Sequence, residues 1–278
     1  MKLKIYNKDA SSKGEVELPS QFFEPVRHDL IKRAVVALKA ASRTPYGSKP
    51  VAGMRHSSDL SKRRRAYRGS YGSGQSRTDR KILSRNGSRM YFVGATVPFT
   101  VGGRRAHPPK AYKVWTKKVN VKENKKAIRS ALAATIVRDE VMSKGHIIPK
   151  SYPFAISDDV AAINKASDAV KALSGLGFDS ELKRVAKRKI RAGKGKARGR
   201  KYKTRKGILL VVGPGQDVGM GFNNVTGVNL ADVSSLNAEI LAPGYKGGRA
   251  ALFTESALQF MKDTKIYLPN AGVKGDDK

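Results

Sequence analysis

The chain has 278 residues, with 56 Lys and Arg against 22 Asp and Glu, a formal net charge of +34 and a pI near 10.5. Self-repulsion at this charge works against a compact monomer, so an acidic partner is expected, nucleic acid first and an anionic membrane surface second. The lack of cysteine excludes disulfides, Cys-based zinc sites and a Cys nucleophile, and a hydrophobic fraction of 40% excludes a merely disordered basic tail.

The N-terminal stretch MKLKIYNKDASSKGEVELP has no apolar segment of the secretory kind. Alternation predicts a strand at Lys2–Asn7. Pro25–Ser42 predicts an amphipathic helix. Val26, Leu30, Ile31, Ala34, Val35 and Leu38 recur at helical spacing, Lys32, Arg33 and Lys39 lie elsewhere, and Pro25 suits the first turn. From Gly47 to Ala111 no clean period survives, and a stretch this long is either disordered or functional. Helical spacing resumes with Ile128, Ala131, Leu132, Thr135 and Ile136, and Pro153–Ser157 predicts a strand. Val160, Ile163, Val170 and Leu173 predict one further helix, stopped by Gly175 and Gly177. After a basic tract at Lys183–Lys206 come a buried-type strand at Ile208–Val212 and short strands at Val228–Asp232 and Ala250–Phe253. A last helix runs through Met261 with Thr254 as its N-cap. Strands alternating with helices predict an α/β fold, a mainly parallel sheet flanked by helices, with a long basic extended internal loop. The expected organisation is a discontinuous globular domain at 1–46 and 112–265, the loop at 47–111, and a C-terminal tail at 266–278. The longest apolar run, Ile208–Gly213, is too short to span a bilayer.

Charge is concentrated. Lys62, Arg63, Arg64, Arg65, Arg68, Arg77, Arg80, Lys81, Arg85, Arg89, Arg104, Arg105, Lys110 and Lys113 share their stretch with one acid, Asp79. Lys183–Lys206 holds as many cations and no acid, among them Lys189, Arg191, Lys194, Lys196, Arg198, Arg200 and Lys201. The two tracts carry half of all Lys and Arg. One reading is a pair of solvated, disordered segments. Against it, Arg offers a planar fork that suits phosphate. Tyr67, Tyr71, Tyr91, Phe92, Phe99, Tyr112, Trp115 and Tyr202 offer rings for unpaired bases. Pro98, Pro108 and Pro109 stiffen the chain, which a floppy tail does not need. These cations, with His107, Trp115 and Tyr202, are the candidate RNA-binding residues.

Enzyme signals are weak by comparison. ILLVVGPGQDVGMG runs from a strand into Gly213, Gly215 and Gly219, with Asp232 near the end of the next strand, where a ribose-binding acid would fall. The spacing departs from G-x-G-x-x-G, and MGFNNVTG lacks the apolar stripe of a crossover helix. AGKGKARGRK resembles a phosphate loop without its G-K-[ST] ending. His28, His56, His107 and His146 lie far apart, so no metal site is expected. Asp158-Asp159 most simply starts a helix. No catalytic constellation and no cofactor is expected. The alternatives are an NAD(P)-dependent enzyme using the glycine turn at 213–219 and a free-standing RNA-binding regulator.

Three stretches, GGRRAHPPK (Gly102–Lys110), KIRAGKGKARGRKY (Lys189–Tyr202) and VNLADVSSLNAEILAPGYKGGRAALFTESAL (Val228–Leu258), together resemble the uL4 (L4) family of large-ribosomal-subunit proteins in its archaeal/eukaryotic form. DLIKRAVVALKAASRTPYGSKPVAG and IRSALAATIVRDEVMSKGH fit the same family, collinearly over nearly the whole chain. The resemblance implies a non-enzymatic constituent of the cytoplasmic large subunit whose α/β domain sits on the outer surface and whose extension penetrates rRNA. It implies that the extension's tip helps line the peptide exit tunnel beside uL22. The implied partners are large-subunit rRNA, neighbouring ribosomal proteins including uL22, and the nascent peptide, with no membrane. The tunnel-lining candidates are Arg85, Asn86, Gly87, Ser88, Arg89 and Met90.

Overall fold

Leu3 and Ile5 alternate with Lys2 and Lys4 and point into the core, which makes β1 (Lys2–Tyr6) the first strand of the computed structural model. Residues 1–58, 60–67, 69–72, 74–216 and 219–269 are described. β2 (Ser12–Glu17) follows as an antiparallel partner whose side chains are almost all exposed. α1 (His28–Ala41) starts three residues later than the sequence predicts. Ser130 Oγ donates to the Pro25 carbonyl (3.0 Å) and accepts from the Arg27 amide (2.6 Å), so the chain entering the helix is pinned in non-helical form. Ile31, Ala34 and Val35 form its buried face.

The chain then forms a separate unit, Ser42–Trp115, which holds β3 (Arg80–Asn86) and β4 (Arg89–Gly94). The first unit resumes at Thr116 with α2 (Val121–Ile136), α3 (Arg138–Ser143), β5 (Ala155–Ile156), α4 (Asp158–Ala161) and α5 (Ala166–Gly175). The single helix predicted through Val160 and Leu173 is therefore two. The cause is a distant loop: the Gly219 and Gly221 amides donate to the Ala161 and Ile163 carbonyls (2.9 and 3.0 Å). A Cβ at Gly219 would lie 2.2 Å from the Ile163 oxygen, so glycine permits this approach. Val170 is exposed and belongs to no core face.

α6 (Asp179–Ala186) leads into a small antiparallel ladder of β6 (Lys189–Ile190) and β7 (Tyr202–Lys203). β8 (Leu209–Val212), β9 (Asn229–Asp232), α7 (Ala238–Leu241), β10 (Ala251–Thr254) and α8 (Glu255–Thr264) complete the unit. The Thr254 hydroxyl accepts from the Ala257 amide and caps α8 as predicted.

The main sheet has the order β2-β1-β5-β10-β8-β9, parallel throughout except for the β1–β2 pair. β8 and β10 are buried on both faces, which explains their continuous apolar runs. Period-two alternation divides them between two cores. Leu209, Val211 and Phe253 join Ile31, Val35, Leu132 and Leu258 on one face. Leu210, Val212 and Leu252 join Phe154, Ile156, Phe178 and Phe222 on the other. Each such side chain contributes about 2 kcal/mol of burial.

Candidate nucleic-acid interface

The unit Ser42–Trp115 is held without an apolar core. Ala95 is the sole buried hydrophobic among its described residues, while Tyr67, Leu83, Phe92, Phe99, Val101 and Tyr112 stand exposed. Backbone contacts replace the core. The Ser48 amide donates to the Pro109 carbonyl (3.1 Å) and the Arg104 amide to the Thr96 carbonyl (2.9 Å). Glycine makes this approach possible: a Cβ on Gly103 would lie 2.1 Å from the Val97 oxygen. A Cβ on Gly53, at φ +76°, would lie 2.5 Å from the Gly103 oxygen.

Asp79 ties these segments together. Its Oδ2 accepts from the Thr96 hydroxyl (2.6 Å), the Thr96 amide (3.0 Å) and the Ser58 hydroxyl (3.0 Å). The Thr96 hydrogen bond is the main cause that lowers its pKa below the ordinary carboxylate value. The one acid of this tract is thus occupied by neutral donors.

β3 and β4 form a hairpin that the sequence reading missed. Ile82 faces Phe92, a bulge at Leu83 shifts the register, and Asn86 faces Arg89 across a two-residue turn in which Gly87 takes φ +56°. The turn and its flanks are Arg85–Met90, the tunnel-lining candidates. All but Met90 are exposed, and an Arg85 guanidinium N–H points at Met90 Sδ (3.8 Å).

Lys62, Arg63, Arg64, Arg65, Arg77, Arg85, Arg89, Arg104, Arg105, His107, Lys110 and Lys113 are exposed. Arg80 and Lys81 are half-buried: Arg80 donates to the Ser76 and Thr78 carbonyls, and Lys81 Nζ lies 3.4 Å from His56 Nε2. Arg68 lies outside the described residues. Aromatic rings hold several of these cations. Arg77 lies over Tyr71 (5.1 Å) and Arg89 over Tyr91 (5.4 Å). Trp115 is stacked on Tyr46 (6.0 Å, 14°), with Arg43 at 3.7 Å from its ring.

The second tract folds back on itself. The Arg191 amide donates to the Lys201 carbonyl (2.8 Å), and Lys189 and Ile190 face Lys203 and Tyr202. Gly193 and Gly199, both at positive φ, bracket the turn that carries Lys194, Lys196 and Arg198. Lys189, Lys194, Lys196, Arg198, Arg200, Lys201 and Tyr202 are exposed; Arg191 is half-buried and donates to the Arg200 carbonyl (3.1 Å). At the tract's start, Arg184 grips Glu181 through two contacts (2.6 and 2.7 Å) and the Lys206 carbonyl (2.8 Å). Glu181 is fully buried, also accepts from the Ile147 amide (3.0 Å), and lies 2.7 Å from His146 Nδ1. Burial alone raises its pKa, but the hydrogen bonds from Arg184, His146 and Ile147 together outweigh this and bring it to about 2.

Among its described residues, the glycine turn does not assemble a dinucleotide site. Gln216 folds into the end of β8: its Oε1 accepts from the Gly213 amide (3.1 Å) and the Ser256 hydroxyl (3.0 Å), and its Nε2 donates to Asp158 Oδ1 (3.1 Å). The amide that a pyrophosphate would use is therefore taken. Asp217 and Val218 lie outside the described residues. A short 3₁₀ turn, Met220–Asn224, stands where a crossover helix would begin. Asp232 accepts from the Ser234 amide (2.8 Å) and hydroxyl (2.9 Å), a local cap. Gly215 lies in the same turn, at positive φ. Among the described residues, no His/Asp/Glu group is arranged to hold a metal, and no helix is long and apolar enough to cross a membrane.

Sequence reasoning did not single out Lys144. It lines a cleft with Lys189 and Lys203, a juxtaposition that only the fold creates.

A layered α/β unit joined to a coreless unit, both bearing acid-poor basic tracts, defines a class of protein built to meet a polyanion. The chain matches the Ribosomal protein L4/L1 family over residues 16–264, and it belongs to that family. It is 45% identical over 268 residues to the large ribosomal subunit protein uL4 of Nanoarchaeum equitans, covering 96% of this chain and 100% of that protein. It is 42% identical over 259 residues to that of Methanococcoides burtonii, covering 93% and 96%. Identity to that of Archaeoglobus fulgidus is 37% over 262 residues, covering 94% and 98%. The family is one of ribosomal proteins, not of enzymes.

Proposed function

We propose that this chain is a structural constituent of the cytoplasmic large ribosomal subunit and binds large-subunit rRNA through both basic tracts. The observation that carries this reading is the unit Ser42–Trp115, ordered around backbone contacts and one engaged acid, with its rings and cations turned outward. RNA supplies what the unit lacks, a packing surface and counter-charge. The names of the relatives, large ribosomal subunit protein uL4, support the same reading. Within it, the hairpin turn Arg85–Met90 helps line the peptide exit tunnel, beside uL22 and in contact with the nascent peptide. The test has two arms. In a sucrose gradient of cell extract, the protein should sediment stoichiometrically with the large subunit; free protein at the top would refute the assignment. Deleting Arg85–Met90 should leave assembly intact and change nascent-chain stalling, because two cations leave a narrow passage. Normal stalling, with density showing other residues at the constriction, would refute the tunnel role.

A further inference from the structure

Two surface clefts of the α/β unit mix charges: one is bordered by Lys8, Asp9 and Asp168, the other by Asp29 and Lys32. A cleft of 560 Å³ does not. Its walls are the turn Lys144–His146, the end of α6, the β6–β7 ladder and the chain that follows it to Lys206. Lys144, Lys189, Lys203, Arg205 and Lys206 line it with no carboxylate among the lining residues. Arg184 is committed to Glu181, which is itself saturated by donors.

A second observation points the same way. Lys189 and Lys203 stand directly opposite each other on a ladder only two residues long. Like charges in that register destabilise a strand pair. Lys144 is half-buried, and its burial, with the nearby charge of Lys39, pushes its pKa below the ordinary value. Two features that each cost stability in the free protein, the Lys189–Lys203 pair and the confined charge of Lys144, thus converge on one cleft, and a bound anion offsets both.

We propose that this cleft seats a backbone phosphate of RNA between Lys189 and Lys203, with Lys144, Arg205 and Lys206 around it. The lining offers ammonium, guanidinium and the Thr204 hydroxyl, with no exposed ring to stack a base, so the contact positions RNA without reading its sequence. The inference rests on the rRNA-binding reading above and adds to it a specific seat outside the coreless unit.

Lys189→Glu discriminates. It turns the like-charged cross-strand pair into an opposite one, so the free protein should resist urea as well as the wild type or better. It also reverses the charge at the seat. Binding of the full chain to large-subunit rRNA fragments, measured from about 50 to about 200 mM salt, should show a log–log slope lower by about 0.7 to 0.9 for the lost phosphate. Across that range the variant should lose about threefold less affinity than the wild type. Lys144→Ala, which leaves the ladder untouched, should lower the slope in the same direction. Unchanged slopes in both variants, with a lowered slope in Arg104→Ala/Arg105→Ala, would overturn the seat while rRNA binding stands. Salt-independent binding by the wild type would overturn both. Loss of stability together with binding in Lys189→Glu would show a structural role instead. Inorganic phosphate that raises the Tm of the wild type alone, with no change in RNA slope, would assign the seat to a free anion and overturn RNA as its occupant.

Discussion

The buried carboxylate of Glu181 makes the fold's stability depend on pH in a calculable way. Glu181 sits in the first part of α6, fully buried, and ties the helix to the turn at His146 and Ile147 and, through Arg184, to Lys206. Its folded pKa is about 2 against an ordinary 4.5. A depressed folded pKa contributes stability that is fully present above the unfolded value and is lost as pH falls through the folded one. The window therefore runs from about 4.5 down to about 2, and the full contribution is about 3 kcal/mol. Glu181→Gln keeps the shape and removes the charge. Urea unfolding at pH 7 should show the variant less stable by about 3 kcal/mol, since Arg184 also loses its ionic partner. The gap between variant and wild type should narrow by about 2 kcal/mol between pH 7 and pH 3. Comparing the two proteins removes the contributions of Asp29 and Asp79, whose pKa values are also lowered. A gap that stays constant from pH 7 to pH 3 would refute the reasoning, because a purely steric defect does not titrate.

Two further substitutions test the packing. Gly103→Ala places a Cβ 2.1 Å from the Val97 oxygen and 2.5 Å from the Thr100 hydroxyl. It should speed hydrogen exchange at the Ala95 and Arg104 amides and leave β8 and β10 protected; equal protection throughout would show that the backbone crossing is not tight. Arg249 is buried, has no ion pair among the described residues, and donates to the Gly207, Ile208 and Gly227 carbonyls and to Asn229 Oδ1. Burial lowers its pKa to about 10. Arg249→Met strands these acceptors and should cost about 3 kcal/mol in urea unfolding; a loss below about 1 kcal/mol would mean water replaces the guanidinium there.

The sequence revealed the elements whose period burial imposes. β8 and β10 are apolar because both faces are covered, and α2 shows its stripe because Ile128, Ala131 and Leu132 are buried in the core they share with Leu209 and Val211. β2 escaped notice because Lys13, Glu15 and Glu17 lie on an exposed edge, so nothing enforces alternation. The β3–β4 hairpin escaped for a related reason. Its side chains are mostly solvent-facing, and the bulge at Leu83 breaks what alternation there is. The break between α4 and α5 was illegible locally: Ile163 fits the helical spacing, and the contact that ends the helix comes from Gly219 and Gly221. Charge density and aromatic content were plain from composition. The cleft was not, since Lys144 and Lys203 are brought together by the fold alone.

The distribution of acids shows why the tracts remain cationic after folding. In the α/β unit several carboxylates answer specific bases: Glu24 holds Arg129 and Lys126, Glu123 holds Arg33, Glu255 holds Lys13, and Glu181 holds Arg184. In Ser42–Trp115 the pattern changes. Asp79 binds hydroxyls and an amide, and among the described residues no arginine of the unit has an ion pair. Their partners are rings and carbonyls, as with Arg77 and Tyr71 or Arg80 and Ser76. An exposed cation–π contact is worth about 0.5–1 kcal/mol. A hydrogen bond to a charged group contributes about 1.5–3 kcal/mol. The ring contacts of these arginines are thus weaker than the phosphate contacts they can exchange them for, and each such exchange leaves a ring free to stack. On the rRNA-binding reading, a unit with no core of its own, several of whose cations rest only on rings, would draw added stabilisation from the polyanion it meets.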